Sequence, residues 1–159
     1  MRWLRPDFPL PTSYLATVYT SPMPTVTVTR RVHFSAAHRL HNPELSEEEN
    51  RRIFALCNNP NYHGHNYELD VSLEGEVDPG TGYVVDLDVI KRIVEERVLC
   101  RLDHKNLNLD VPEFQELNPT TENIVIVIWR MLEDALPGRL KRLVLWETPR
   151  NYVEYCGEQ

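Results

Sequence analysis

Cysteine is scarce. Cys57, Cys100 and Cys156 are the only three in 159 residues, an odd and thinly spread set unlike the dense, even framework of a small secreted disulfide domain. A reducing, cytoplasmic setting is therefore expected. Long apolar runs are missing too: the longest, Ile124 to Trp129, is about a third of the roughly 18–20 residues that a membrane helix requires. Positive charge is in deficit, with 17 Lys+Arg against 24 Asp+Glu and a formal charge of −7. That balance argues against a broad basic face for nucleic acid or anionic membrane, while leaving room for a local cationic pocket. The GxGxxG, Walker and GxSxG patterns are all absent, so a dinucleotide-dependent dehydrogenase, a nucleotide-driven kinase and a nucleophile-elbow hydrolase lose support. No internal repeat or low-complexity tract interrupts the chain.

What remains is ordinary globular usage, 42% apolar and 26% charged, at a length that suits one compact domain. Residues 1–25 read as a proline-rich arm, and 26–159 as the domain. Pro6, Pro9, Pro11, Pro22 and Pro24 break any apolar stretch that a signal peptide would use. Asp7 disfavours a transit peptide.

From Val26 the chain alternates strictly. Val26, Val28, Val32, Phe34 and Ala36 share a parity that ends on His38, as in a half-buried strand. A polar, turn-rich loop to Tyr62 contains a short helical candidate near Ser46–Leu56. The second strand, about His63 to Val77, again places histidines at the head of its inward row: His63, His65, Tyr67, Leu69, Val71 and Leu73. Asp86 is a plausible cap for a helix over Leu87–Val98, and Pro119-Thr120-Thr121-Glu122 opens another that Pro137-Gly138 should stop. Leu140–Thr148 and Tyr152–Cys156 read as closing strands joined by a tight turn. The plan is α+β: a four-stranded antiparallel sheet with two helices on one face.

Antiparallel pairing of the first two strands brings His38 beside His63 and His65. Residues i and i+2 of a strand point the same way, so His63-Gly64-His65 can chelate one ion, and His38 supplies a third imidazole. Three neutral imidazoles with an open fourth position make a catalytic Zn2+ arrangement rather than a closed structural one. Iron, nickel or copper would also bind such donors. Cys57 is a candidate base or nucleophile, because a nearby dication favours its thiolate. Asp103-His104 has the makings of a proton relay. Glu147 ends the inward row of Leu143 and Leu145 as either a solvated strand-end carboxylate or an anchor for a ligand with adjacent N–H donors. Cys100 and Cys156 are assigned no role.

FSAAHRLH, CNNPNYHGHNY, LDHKNLN, PTTEN and the WET containing Glu147 resemble, in order and spacing, the 6-pyruvoyltetrahydropterin synthase family from about Val26 to Glu158. The resemblance implies a zinc site at His38, His63 and His65, a proton-accepting Cys57, a relay at Asp103 and His104, and a pterin anchor at Glu147. It also implies a pterin pocket lined by Thr120, Thr121 and Glu122. The implied assembly is a T-fold, whose sheets join into a barrel and whose trimers stack as a homohexamer, with no nucleic-acid or membrane partner. The implied reaction is a carbon–oxygen lyase step on 7,8-dihydroneopterin triphosphate, giving 6-pyruvoyltetrahydropterin and triphosphate for tetrahydrobiopterin synthesis. Arg30, Arg31, Arg39 and Lys105 are candidates for holding the triphosphate. The same family contains a carbon–carbon lyase, 6-carboxytetrahydropterin synthase of queuosine biosynthesis; the Cys-x5-His spacing here resembles the pyruvoyl-forming branch. A non-catalytic, zinc-stabilised pterin-binding T-fold protein is the alternative of another class. Tyr62 departs from the small residue often found before the first HGH histidine, and the arm has no family counterpart.

Overall fold

The computed structural model describes residues 23–158, so the expected arm lies outside the described residues apart from its last three positions. In chain order the elements are β1 (Thr25–His38), α1 (Glu47–Phe54), β2 (His63–Glu76), α2 (Leu87–Val94), β3 (Lys105–Asn106), α3 (Leu107–Asp110), α4 (Thr121–Leu132), β4 (Arg139–Thr148) and β5 (Asn151–Tyr155). The sheet order is β3-β1-β2-β4-β5. The four long strands are antiparallel as expected. The fifth, β3, is an addition to that expectation: a two-residue parallel strand beside Ala36 and Ala37.

Alternation decides which face is covered. Phe34, Ala36 and His38 of β1 and Tyr67, Leu69, Val71 and Leu73 of β2 are buried, while Thr25, Thr27, Thr29, Arg31 and His33 are exposed. Leu143 and Leu145 of β4 continue the same face opposite Val71 and Leu69. The outer face is polar. Arg31 bridges Glu68 and Asp70 there, and Arg139 and Lys141 both reach Glu74.

The helices complete the core. Asp86 caps α2 by accepting from the Asp88 amide, and Ile90, Val94, Val98 and Leu102 are fully buried at every fourth position. Such a row drifts by about 40° per step on a regular helix. The turn from Glu95 to Leu99 is a π-helix, whose wider winding counters that drift and keeps the row on the sheet. Helix α4 is capped by Thr120, which accepts from the Asn123 amide, and buries Ile124, Val125, Val127, Ile128 and Leu132. It ends at Leu132, five residues before Pro137, sooner than the proline alone suggests.

Helix α1 opens with a full capping box: Ser46 accepts from the Glu49 amide, and the Glu49 carboxylate accepts from the Ser46 amide. Ser46→Ala removes the hydroxyl half of that exchange, leaving the backbone amide to Glu49, and is expected to lower stability by about 1 kcal/mol in urea denaturation. An unchanged midpoint would show that the box holds only the end of an exposed helix.

Candidate active site

The strand register builds the centre of the site. His38 pairs with His63, and Ala36 with His65, so the three imidazoles meet at one end of the inward face. His38 is completely buried. A carbonyl only accepts, so the 2.8 Å contact between His38 Nδ1 and the Pro119 oxygen makes Nδ1 the protonated nitrogen and leaves a lone pair on Nε2. That Nε2 lies 3.0 Å from His63 Nε2, and the donor atoms of all three histidines lie within 4.8 Å of one another. His63 Nδ1 and His65 Nε2 are buried without a partner among the described residues. Burial lowers the pKa of His38 and of His63, and the neighbouring imidazoles lower them further. Neutral rings with converging nitrogens fit a cation that prefers nitrogen donors, and the Pro119 carbonyl orients one of them as an outer-shell partner does. Pro119 carries no sequence signal for this role.

Glu147 reaches the same spot. Its Oε1 is 3.8 Å from His38 Nε2 and 3.7 Å from His65 Nε2. The β4–β5 register shifts between Trp146 and Thr148, so Glu147 sits where the ladder breaks.

Cys57 is half-buried in the 3-10 turn Ala55–Asn58. Its backbone is pinned to the chain leaving β1: Leu40 N–H donates to the Cys57 carbonyl (2.8 Å), Asn58 Nδ2 donates to the Leu40 carbonyl (2.7 Å), and Arg39 Nε donates to the Asn58 carbonyl (3.1 Å). Burial first, then the charge of Glu147, push its thiol pKa up. Cys57 and Glu147 therefore share one electrostatic environment. Buried Asn58 is the brace that sequence reading missed, although its place in a turn-forming Asn-Asn-Pro-Asn run is suggestive.

Asp103 and His104 lie elsewhere. Asp103 Oδ1 accepts from the Ser35 amide and from His104 Nδ1, both at 2.9 Å, which lowers the pKa of its carboxyl, the Ser35 amide being the larger cause. The His104 side chain is 83% exposed. It borders a depression of about 430 Å³ at the end of β1 and β2, lined by Ser35, Ala37, Gly64 and Asn66 of the outer face and also by Ala36 and His65. Among the described residues, Asp103 and His104 make no hydrogen bond or ion pair with Cys57, Glu147 or the clustered histidines.

Thr120 and Thr121 belong to the start of α4, where the Thr120 hydroxyl caps the helix and Thr121 is buried; Glu122 is exposed. Their link to the cluster is Pro119. Of the four candidate cations, Arg30 is eight residues before His38, roughly 26 Å along a strand that rises about 3.3 Å per residue. Arg31 is held by carboxylates on the outer face. Lys105 borders the His104 depression. Arg39 is bonded to the Asn58 carbonyl beside Cys57 and lines a depression with Arg51 and Asn58.

A family model described as 6-pyruvoyl tetrahydropterin synthase matches residues 27–158. The human 6-pyruvoyl tetrahydrobiopterin synthase is 49% identical over 132 residues, covering 82% of this chain and 91% of the human one. The solved Caenorhabditis elegans 6-pyruvoyl tetrahydropterin synthase superposes with a TM-score of 0.81 at 43% identity, covering 86% of this chain and 98% of its own. A dihydroneopterin monophosphate aldolase from Pyrococcus furiosus is 39% identical over 119 residues, 74% of this chain and 85% of that protein. With the match running through every strand of the sheet and all three clustered histidines, the chain belongs to the 6-pyruvoyl tetrahydropterin synthase family.

Proposed function

We propose that this protein is a lyase that converts 7,8-dihydroneopterin triphosphate to 6-pyruvoyltetrahydropterin, breaking the carbon–oxygen bond to triphosphate. The observation that supports it most directly is the meeting of three imidazoles, Glu147 and the Cys57 environment at one sheet end, in a chain 49% identical to a 6-pyruvoyl tetrahydrobiopterin synthase. His38, His63 and His65 hold Zn2+, which when bound supplies a Lewis acid for the oxygens of the substrate's side chain and acidifies the adjacent C–H bonds. The remaining chemistry belongs to the chain itself. Glu147 accepts two parallel N–H bonds from the aminopyrimidine edge and fixes the ring beside the cluster. The Cys57 sulfur takes a proton from a side-chain carbon, and triphosphate departs with the bonding pair. Further proton shifts carry the reducing equivalents from side chain to ring, so no external redox cofactor is required.

The Asp103–His104 pair enters this reading through assembly. It makes no hydrogen bond or ion pair with its own Cys57, and a second copy can present it. The outer edge of β1 supports such association, since β3 pairs with it only at Ala36 and Ala37 and an open edge invites another strand. Joined β1 and β5 edges give the barrel of a T-fold, and stacked trimers a homohexamer. Thr120, Thr121 and Glu122 then line the pterin pocket, and Arg39 is the leading cation for the triphosphate.

The test is incubation of the metal-loaded protein with dihydroneopterin triphosphate and mass analysis of the product. A pterin that keeps every side-chain carbon, with one triphosphate released per turnover, is expected. A product lacking two carbons would assign the chain to carbon–carbon cleavage, and absence of turnover would leave it a pterin-binding T-fold protein.

A further inference from the structure

Among the described residues, six buried side-chain nitrogen or oxygen atoms lack a hydrogen-bond partner, and three of them, His63 Nδ1, His65 Nε2 and the Tyr67 hydroxyl, gather at one place. The two nitrogens belong to the metal-binding histidines. The hydroxyl has no such explanation. Tyr67 is fully buried and is locked on all sides: stacked on Phe34 at 4.9 Å and 15°, edge-on to His65 at 5.6 Å and to His38 at 6.4 Å. Beyond the Glu68–Trp146 pair, the next step of the register sets Glu147 across from it. Glu147 and Cys57 both act on it electrostatically. The ring is thus part of the core, packed edge-on to two of the three clustered histidines and across the register from Glu147.

A phenol is a donor at neutral pH, and a buried O–H without an acceptor costs about 1–3 kcal/mol. Phenylalanine would fill the same volume, with the same stacking on Phe34, at none of that cost. The hydroxyl therefore destabilises the free protein unless a bound molecule accepts its hydrogen bond.

We propose that Tyr67 is a catalytic hydrogen-bond donor whose O–H binds a side-chain oxygen of the substrate beside the histidine cluster. The inference rests on the lyase reading above. Once a proton shift toward the ring has turned that side-chain hydroxyl into a carbonyl, removal of a proton from the carbon beside it moves electron density onto the oxygen as an enolate, triphosphate departs from the next carbon, and a donor already fixed by Phe34 and two histidines binds that oxygen more strongly in the transition state than in the ground state. Tyr67 transfers no proton, and the atoms and electrons of the elimination are unchanged.

Tyr67→Phe tests this in the full-length, zinc-loaded protein, compared with wild type for thermal midpoint, metal stoichiometry and steady-state turnover of dihydroneopterin triphosphate. Expected are a midpoint equal to or above that of wild type, unaltered zinc content, and a kcat reduced about 10- to 100-fold with KM within about threefold. A kcat within twofold of wild type overturns the assignment. So does a fall in midpoint or zinc content that accompanies the loss of kcat, because that outcome makes the hydroxyl a partner of the fold. Wild type without turnover defeats the lyase reading itself, which is distinguishable from a variant that works as well as an active wild type.

Discussion

Cys57→Ala is expected to reduce turnover by roughly 10²- to 10⁴-fold, the range by which a positioned acid or base accelerates a proton transfer, while leaving zinc content and assembly intact. The separation follows from how the residue is held. The turn that carries Cys57 is fixed through backbone groups, Leu40 N–H to the Cys57 carbonyl, and through Asn58, whose amide reaches both Leu40 and His41. None of these bonds involves the sulfur. Removing it costs little packing at a half-buried position and breaks no bond within the histidine cluster. Without a cation nearby, burial and Glu147 favour the thiol, and positive charge in the cluster would work against both and favour the thiolate. Turnover by Cys57→Ala at the wild-type rate would move the base to another residue. Loss of metal along with turnover would make the sulfur a ligand instead.

The histidines divide differently. His63→Ala is expected to release the metal and lower turnover by more than about 10²-fold with the fold retained, because the described partner of His63 is His38 alone. His38→Ala should do the same and also destabilise the protein by about 1–3 kcal/mol, since it leaves the buried Pro119 carbonyl without its donor at a position with no access to water. Metal analysis and urea denaturation on both variants check the contrast. Stoichiometric zinc in His63→Ala would remove that residue from the ligand set, and equal stability of the two variants would deny His38 its second function.

The histidine cluster was legible because a strand has a period of two. Once Val32, Phe34 and Ala36 are taken as inward, His38 must be inward as well, and the same rule carries Leu69 and Tyr67 to His65 and His63, and Leu145 to Glu147. Three inward rows ending on ligating or acidic residues are visible without coordinates. The placement of Asp103 and His104 was not, because it depends on two bonds to Ser35 from a segment 68 residues away in sequence. The segment after His104 shows no sustained strand or helix period in the sequence. A two-residue strand and a four-residue helix are too short to declare a period, although buried Leu107, Val111 and Phe114 already stand at helical spacing. Tyr67 was counted as one more apolar member of its row, since alternation tells which way a side chain points and nothing about whether its oxygen finds a partner.

The backbone at His104 has a consequence of its own. Its φ is +58°, left-handed for a residue with a β-carbon, a conformation that costs of order 1–3 kcal/mol and persists only where surrounding bonds over-determine it. Here the His104 amide donates to the Ser35 carbonyl at 2.6 Å, and Asp103 holds the ring nitrogen. The most exposed imidazole of the proposed machinery is therefore mounted on one of its most constrained backbones. In the assembly proposed above, little torsional entropy would remain to be lost when the ring met a group of an adjoining copy, and its effective concentration there would be governed by how rigidly the copies fit together.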